Sequence, residues 1–490
     1  MRSTPNNKMA TKPVFPLLMS MALPPMLSML LGSLYNIIDS MFVARYSADA
    51  LTAVSLAFPL QNFALAVSVG AGVGISSYIA RKLGEGDRDA ANSAVAHGLL
   101  LSLAHYLVFV LLGLFLTKPF LSLFTSSPVI LSLGADYLFI VLVGCVGQQV
   151  QIAIEKMLQA TGNMVWPMLM QALGCVVNII LDPIMIFGLF GFPEMGVRGA
   201  ALATIIGQLA SMALAFFALF KKEHEVRLDL RRFKFRPSVI GDIYDVGVPT
   251  ILMNSLGSVL VMGLNSLLMR FSEVAVSVFG IYYKLQTFVF MPVSGMAQGA
   301  MPIMGYNYGA RSRGRVVACF RDSLIVSAAI LAAGNLLFVL LPAPLLALFG
   351  AGPEMMAIGV PALRILGCSY LPAALGCCIP TLFQAVGRGR SSLVIFLLRQ
   401  FAITLPLAWL LAGPMGLAGI WCSFIVAEVA AAAAAGLMLG QLFRRDPVLC
   451  RRDAASAGQA PAEKASGHAA PPAPAPESAG TDGEAPAPQA

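Results

Sequence analysis

The segment VFPLLMSMALPPMLSMLLGSLYNIIDSMFVA, residues 14–44, decides the fold class. No residue between Lys12 and Asp39 carries a charge. At about 1.5 Å per residue, a helix of this length crosses a hydrocarbon core of roughly 30 Å. A carboxylate inside such a helix costs about 2.5–3.5 kcal/mol on insertion scales. Asp39 is therefore the first candidate for a functional residue.

The rest of the chain has the same character. It has 490 residues, of which 58% are hydrophobic and 11% are charged, against about 25% charged in a soluble domain. Because backbone in lipid must satisfy its own hydrogen bonds, these continuous apolar runs predict an all-α polytopic membrane protein. We count twelve transmembrane helices, and we expect the first to be retained and not cleaved as a signal peptide. They lie at about 15–44, 50–80, 94–116, 131–160, 164–190, 197–220, 240–269, 275–308, 317–341, 357–386, 391–412 and 416–442.

The loop cations predict the orientation. The opposite side of the membrane from the termini holds only Arg45, Lys118, Arg198 and Arg270. The side that carries both termini holds Arg2, Lys8, Lys12, Arg81, Lys82, Arg88, Lys156, seven cations between Lys221 and Arg236, Arg311, Arg313, Arg315, Arg388, Arg390 and the group from Arg444 to Arg452. The positive-inside rule then places both termini in the cytoplasm and the protein in the plasma (inner) membrane. The net charge of +8 is explained by topology and does not indicate nucleic-acid binding.

The cysteines and histidines do not indicate an enzyme or a metal centre. The eight cysteines lie mostly inside apolar runs and have no metal-ligand spacing, and the four histidines do not cluster. We therefore expect no catalytic activity, no cofactor and no bound metal other than a coupling Na⁺. The tail from about Asp453 is rich in Ala, Pro and Gly and is predicted to be disordered.

The two halves of the chain form an internal repeat at an offset of 225 residues. Matched pairs include Pro24 and Pro249, Arg45 and Arg270, Gly84 and Gly309, and Gly162 and Gly387; farther on the offset is 220, as for Gly196 and Gly416. Six helices return the chain to its starting side, so the two lobes are parallel and related by an axis along the bilayer normal. We expect a monomer with a central cleft. Its parts are a cytoplasmic N-terminus (1–14), an N-terminal lobe (15–220), a linker (221–239), a C-terminal lobe (240–443) and a cytoplasmic tail (444–490).

The repeat fails at four polar positions of the first lobe, all of which are apolar in the second. Asp39 aligns with Leu264, Asn178 with Ile403, Asp182 with Leu407 and Thr204 with Phe424. Two carboxylates close together in an apolar setting cannot both stay ionised cheaply, so one must hold a proton or a cation must lie between them. This is the chemistry of H⁺ or Na⁺ coupling. The alternative is a structural hydrogen-bond cluster that holds three helices together.

A substrate cavity is predicted between the lobes. Its candidate residues are Tyr35, Asn36, Gln286, Met291, Gln298, Arg399 and Glu428. Arg399 and Glu428 could instead form a structural salt bridge. A Met-rich, weakly polar lining is typical of promiscuous cavities.

Five segments carry a family resemblance: SLYNIIDSMFVARYSADALTAVSLAFPLQ (33–61), GAGVGISSYIARKLGEGD (70–87), NIILDPIMIFG (178–188), GVRGAALATIIGQ (196–208) and MPVSGMAQGAMPIMGYNYGAR (291–311). They resemble the multidrug and toxic compound extrusion (MATE) transporters, closest to the bacterial DinF-like and MepA-like branch. The resemblance implies two six-helix lobes and efflux of amphipathic, often cationic compounds in exchange for H⁺ or Na⁺.

The resemblance also implies roles for particular residues. The coupling-ion network of DinF-like members corresponds to Asp39, Asn178, Asp182 and Thr204, and Pro24 matches a proline proposed to bend the first helix on protonation. Acidic residues that other branches carry in the seventh, eighth and tenth helices have no obvious counterpart here, so a second ion site has no support. The main alternative is a lipid-linked precursor flippase of the same superfamily, which needs a basic cavity and often extra helices. A channel or a structural membrane protein fits the deep carboxylates and the two-lobe repeat poorly.

Overall fold

The computed structural model describes residues 7–220, 225–226, 228 and 233–450, and every long element in them is a helix. The predicted disordered tail and most of the predicted linker lie outside these residues. The first half contains α1 (Lys8–Thr11), α2 (Val14–Tyr46), α3 (Ala48–Glu85), α4 (Arg88–Phe115), α5 (Thr117–Ser122), α6 (Pro128–Gly144), α7 (Val146–Ala160), α8 (Val165–Phe187) and α9 (Val197–Phe220).

The second half repeats this order. It contains α10 (Pro237–Leu268), α11 (Glu273–Gly309), α12 (Arg313–Leu340), α13 (Pro342–Ala347), α14 (Pro353–Gly367), α15 (Tyr370–Ala385), α16 (Gly389–Leu397) and α17 (Leu405–Arg445), with a π-helical turn, Leu398–Thr404, joining α16 to α17. Two short helices, α5 and α13, occupy equivalent positions in the two halves. Their first residues are 225 positions apart, which is the offset of the repeat.

By length and apolar composition, the described residues contain nine to eleven candidate membrane spans. Nine continuous helical stretches are long and apolar enough to span a membrane, and two further candidates are bent pairs, α6 with α7 (45°) and α14 with α15 (49°). The stretch Gly389–Arg445 is not one straight helix, because its backbone leaves the helical conformation at Gly416 (φ 59°, ψ −141°). A Cβ at Gly419 would collide with the Leu411 carbonyl, so the chain turns back on itself there.

Equivalent turns in the two lobes use the same backbone conformation. Gly162 and Gly387 have φ of 82° and 83°, and Gly196 and Gly416 have φ of 53° and 59°. These angles lie in the left-handed region, which glycine adopts without steric cost. The internal repeat is therefore a repeat of conformation as well as of sequence, and the two-lobe, six-helix arrangement predicted from it is confirmed.

The lobes touch along the halves of their helices nearest the face that carries residues 7 and 450, which we call the terminal side. A Cβ at Gly295 would lie 2.7 Å from the Met26 Cα, and one at Gly299 would lie 2.7 Å from the Ala22 Cα, so α11 packs closely on α2. Toward the opposite side, nothing that the structure describes lies within 4 Å of a Cβ added at Gly257. The lobes are thus closed on the terminal side and separate away from it.

The N-terminal segment is part of this closure. Met9 is fully buried, and its carbonyl accepts hydrogen bonds from Asn307 Nδ2 (3.1 Å) and Arg315 Nη2 (2.9 Å). Arg315 Nη2 also donates to the Lys12 carbonyl at 2.7 Å. The segment that begins the first lobe is therefore held by side chains of the second.

Candidate functional site

Four polar side chains, which we call the acid cluster (Asp39, Asn178, Asp182 and Thr204), meet inside the first lobe. They come from three helices, α2, α8 and α9. Asn178, Asp182 and Thr204 are 2%, 0% and 5% exposed, and Asp39 is partly buried. The structure therefore brings together the four positions at which the repeat fails.

Hydrogen bonds fix the orientation of this cluster. With its amide placed to satisfy both neighbours, Asn178 donates to Asp182 Oδ2 at 2.8 Å and accepts from the backbone N–H of Thr204 at 3.0 Å. The Thr204 hydroxyl donates to the Ala200 carbonyl at 3.0 Å. Asn178 thus links α8 to α9 and holds the Asp182 carboxyl in place.

The carboxyl groups of Asp39 and Asp182 lie within hydrogen-bonding reach of each other. Asp39 Oδ1 is buried and has no hydrogen-bond partner among the described residues. Since two ionised carboxylates have no proton to share, this contact requires one proton or a cation between them. The donor set, carboxylate and hydroxyl oxygens in a buried site, fits either.

Two tyrosines complete the surroundings of the cluster. Tyr35, predicted from the sequence to line the cavity, lies outside its lining and near Asp39 and Thr204. Tyr137, on α6, is 3% exposed, donates to Gln61 Oε1 at 3.3 Å and lies close enough to interact electrostatically with Asp39. Tyr137 was not among the residues predicted from the sequence. Its repeat partner is Ala362, so a comparison of polar positions in the first lobe with apolar positions in the second would also have selected it.

A second site is a cavity of about 500 Å³ between the lobes. It is lined from both sides, by Pro25, Met29, Glu155, Lys156, Gln159 and Gln171 of the first lobe and by Met253, Asn254, Gln298, Cys377, Phe396 and Arg399 of the second, among others. Glu428 lies behind Arg399 and accepts a hydrogen bond from its Nε at 2.6 Å. The salt bridge and the cavity role predicted for Arg399 therefore coexist.

The remaining predicted residues lie elsewhere. Asn36 is exposed and its amide donates to the Gly32 carbonyl of its own helix at 2.9 Å. Gln286 and Met291 lie on α11 outside the lining of this cavity. Pro24 is inside α2, which is continuous from Val14 to Tyr46.

Lys156 requires a correction. Its position in the sequence predicted a loop cation on the terminal side, but Lys156 lies in α7 and is only 5% exposed. Its Nζ donates to Gln159 Oε1 (2.9 Å) and to Gln298 Oε1 of the other lobe (2.7 Å), and it lies 3.4 Å from Glu155 Oε1. These partners allow the lysine to be buried inside the protein. Its position in the sequence alone had suggested a loop.

No group of three or more His, Cys, Asp or Glu side chains in the described part of the chain is arranged to hold a metal ion.

Known proteins match this chain in both of its lobes. The family model described as MatE matches residues 24–184 and 249–410, one match in each lobe. A relative named FAD transporter from Shewanella oneidensis is 27% identical over 81% of this chain and 88% of its own length. A relative named multidrug export protein MepA from Staphylococcus aureus is 27% identical over 87% of this chain and 94% of its own length.

The fold has solved counterparts. One, described as the outward-facing conformation of a multidrug resistance MATE family transporter of the MOP superfamily, superposes with a TM-score of 0.84 at 25% identity. The match covers 91% of this chain and 100% of that one. The similarity thus extends over both lobes.

Proposed function

This chain belongs to the MatE family of multi-pass membrane transporters, and from that premise we propose that it exports small amphipathic molecules in exchange for H⁺ or Na⁺. The sequence resemblance implied cationic compounds as substrates, and the expected location is the plasma (inner) membrane with both termini in the cytoplasm. The observation that carries the proposal is the pairing of Asp39 with Asp182 in a buried cluster.

We propose H⁺ as the coupling ion because the contact between the two carboxyl groups needs only one proton. The Asn178 oxygen accepts from the Thr204 backbone and the Thr204 hydroxyl donates to Ala200, which leaves lone pairs on both oxygens. Na⁺ is therefore the competing ion, and separate H⁺ and Na⁺ gradients distinguish the two.

Helix α2 provides the link between ion binding and movement of the lobes. It carries Asp39 near its end on the opposite side, and Ala22 and Met26, which touch α11, in its terminal-side half. Pro24 and Pro25 lie within the contact region, between Ala22 and Met26, and a proline removes a backbone hydrogen bond and weakens the helix around it. Making or breaking the Asp39–Asp182 contact would therefore change how α2 packs on the second lobe. Alternation of the closed side would then carry substrate one way and the ion the other.

The test is transport of a fluorescent amphipathic dye by the purified protein in vesicles, with a pH gradient and a Na⁺ gradient imposed separately. We expect the pH gradient to drive transport and the Asp39→Asn and Asp182→Asn variants to lose that response. Asp49→Asn is the matched control, because Asp49 is an exposed carboxylate in the first turn of α3. Gradient-driven transport that survives in both cluster variants would contradict the proposal.

The flippase alternative is less consistent with the cavity. A pyrophosphate-bearing lipid precursor needs an excess of positive charge. Here Lys156 lies beside Glu155 and Arg399 is bound to Glu428, so the two cations are each balanced. Addition of a lipid pyrophosphate to the same vesicles would reveal that activity if it existed.

A further inference from the structure

We propose that the central cavity selects molecules that carry a carboxylate or another singly charged oxyanion beside an apolar body, and that Arg399 binds this anionic group. The inference rests on the proposed transport function and specifies its substrate class. It differs from the expectation of cationic substrates that the sequence resemblance implied.

Few charged residues line the cavity, and more of them are cations than anions. Three charged residues line it among those described, Glu155, Lys156 and Arg399. A volume of about 500 Å³ is within the range that holds one drug-sized molecule. A ligand of that size would therefore contact these three charges and an otherwise neutral wall.

The one carboxylate in the lining is already occupied. Glu155 Oε1 accepts from Gln159 Nε2 at 2.9 Å and lies 3.4 Å from Lys156 Nζ. Glu155 Oε2 accepts from Gln151 Nε2 at 2.9 Å. An organic cation that approached Glu155 would have to compete with all three donors.

Arg399 has N–H donors that no described residue uses. Its Nε donates to Glu428 Oε1 at 2.6 Å, and its Nη1 lies 3.8 Å from the Cys377 sulfur, a weak acceptor. Its Nη2 makes no hydrogen bond with any residue of the described chain. A guanidinium carries five N–H donors, so most of them remain for a ligand.

The surroundings of Arg399 increase the value of such a bond. The side chain is 12% exposed, so a charge-assisted hydrogen bond there is less weakened by water than one at the surface. Arg399 also lies in the π-helical turn Leu398–Thr404, and π-turns occur frequently at functional sites. Glu428 binds the guanidinium through Nε, and Arg399 lines the cavity, so its Nη2 is left for a ligand.

The neutral part of the cavity supplies the apolar contact. Met29 of the first lobe faces Met253 and Phe396 of the second. Flexible thioethers and a single aromatic ring accept apolar groups of varied shape. None of the charged residues described in the lining offers an unpaired carboxylate to an organic cation.

The test compares two probes that differ in one charge, a rhodamine dye with a free benzoate and the methyl ester of the same dye. Their equilibrium binding to the purified protein in lipid nanodiscs is measured without any ion gradient, so a failure of ion coupling cannot be mistaken for a failure of recognition. We expect the free acid to bind roughly tenfold more tightly than the ester. In the double variant Arg399→Gln/Glu428→Gln the ratio should fall to about twofold or less.

The double variant is needed because Arg399→Gln alone would leave Glu428 buried without its partner, which is strongly destabilising. Arg399→Lys retains the charge and should retain part of the preference. Arg321→Gln, in a surface pair on α12 whose arginine is 68% exposed, is the control and should leave the ratio unchanged. Equal or tighter binding of the ester by the unmodified protein, or a full preference that persists in the double variant, would overturn the assignment.

Discussion

Lys156 Nζ donates to Gln298 Oε1 at 2.7 Å, and this bond joins the two lobes at the cavity. Lys156 lies in α7 of the first lobe and Gln298 in α11 of the second. The bond joins the lobes in the closed arrangement, so in the proposed transport cycle we expect it to favour the shape that is closed on the terminal side.

Removing this bond should shift that balance. In Gln298→Leu, Lys156 keeps Gln159 and Glu155 as partners, so we expect the protein to fold normally. Loss of one hydrogen bond to a charged group, worth about 1.5–3 kcal/mol, should raise the fraction that is open on the terminal side at least several-fold. Hydrogen exchange at the terminal-side ends of α3 and α11 measures this fraction. Gln286→Leu, on the same helix outside the cavity lining, should exchange as the unmodified protein does; equal exchange in both variants would exclude the role of the bond.

A methyl group at Gly84 should prevent full closure. A Cβ there would overlap the Tyr306 carbonyl, and one at Gly309, its repeat partner, would overlap the Arg81 carbonyl. Gly84→Ala should therefore slow transport several-fold and increase exchange at the terminal side, because backbone atoms cannot move aside as a side-chain end can. Gly436→Ala, which would place its Cβ in open space, should have neither effect. Normal transport by Gly84→Ala would show that the two helices separate there at little cost.

Arg315→Gln should release the N-terminal segment. The substitution removes three charge-assisted hydrogen bonds, to the carbonyls of Met9 and Lys12 and to Asn307 Oδ1. We expect a loss of about 2–3 kcal/mol in stability and faster trypsin cleavage after Lys8. Thermal unfolding and timed proteolysis measure the two effects. The exposed Arg321→Gln should change neither by much, because surface ion pairs contribute about 0–1 kcal/mol.

Thr204→Val separates a role in the acid cluster from a role in helix bonding. The valine keeps the shape of the side chain but removes the hydroxyl, which donates to the Ala200 carbonyl inside the buried cluster. Loss of one hydrogen bond costs about 0.5–1.5 kcal/mol, so we expect lower thermal stability and several-fold slower pH-driven transport. Thr52 makes the same bond to the carbonyl four residues before it, at 3.0 Å, but is exposed. If Thr52→Val and Thr204→Val behave alike, the hydroxyl of Thr204 serves only its own helix.

The residues of the acid cluster could be predicted from this one sequence. Asp39, Asn178, Asp182 and Thr204 were selected because the second lobe replaces each with an apolar residue, and a duplicated scaffold provides its own reference for such differences. The structure places them together, and the same comparison would have added Tyr137. Lys156 was misplaced because the count of loop cations assumed that a lysine near the end of a span faces water.

The sequence by itself determined the class, the apolar spans and the duplication, because lipid imposes length and apolarity on every span and a repeat preserves its turns. Only the tertiary structure decided which polar groups meet across elements far apart in the chain. The contact between Lys156 and Gln298 and the place of Arg399 in the cavity lining both depend on how the two lobes pack. Helical periodicity fixes the direction of a side chain on its own helix, but it carries no information about which residue of another helix lies opposite.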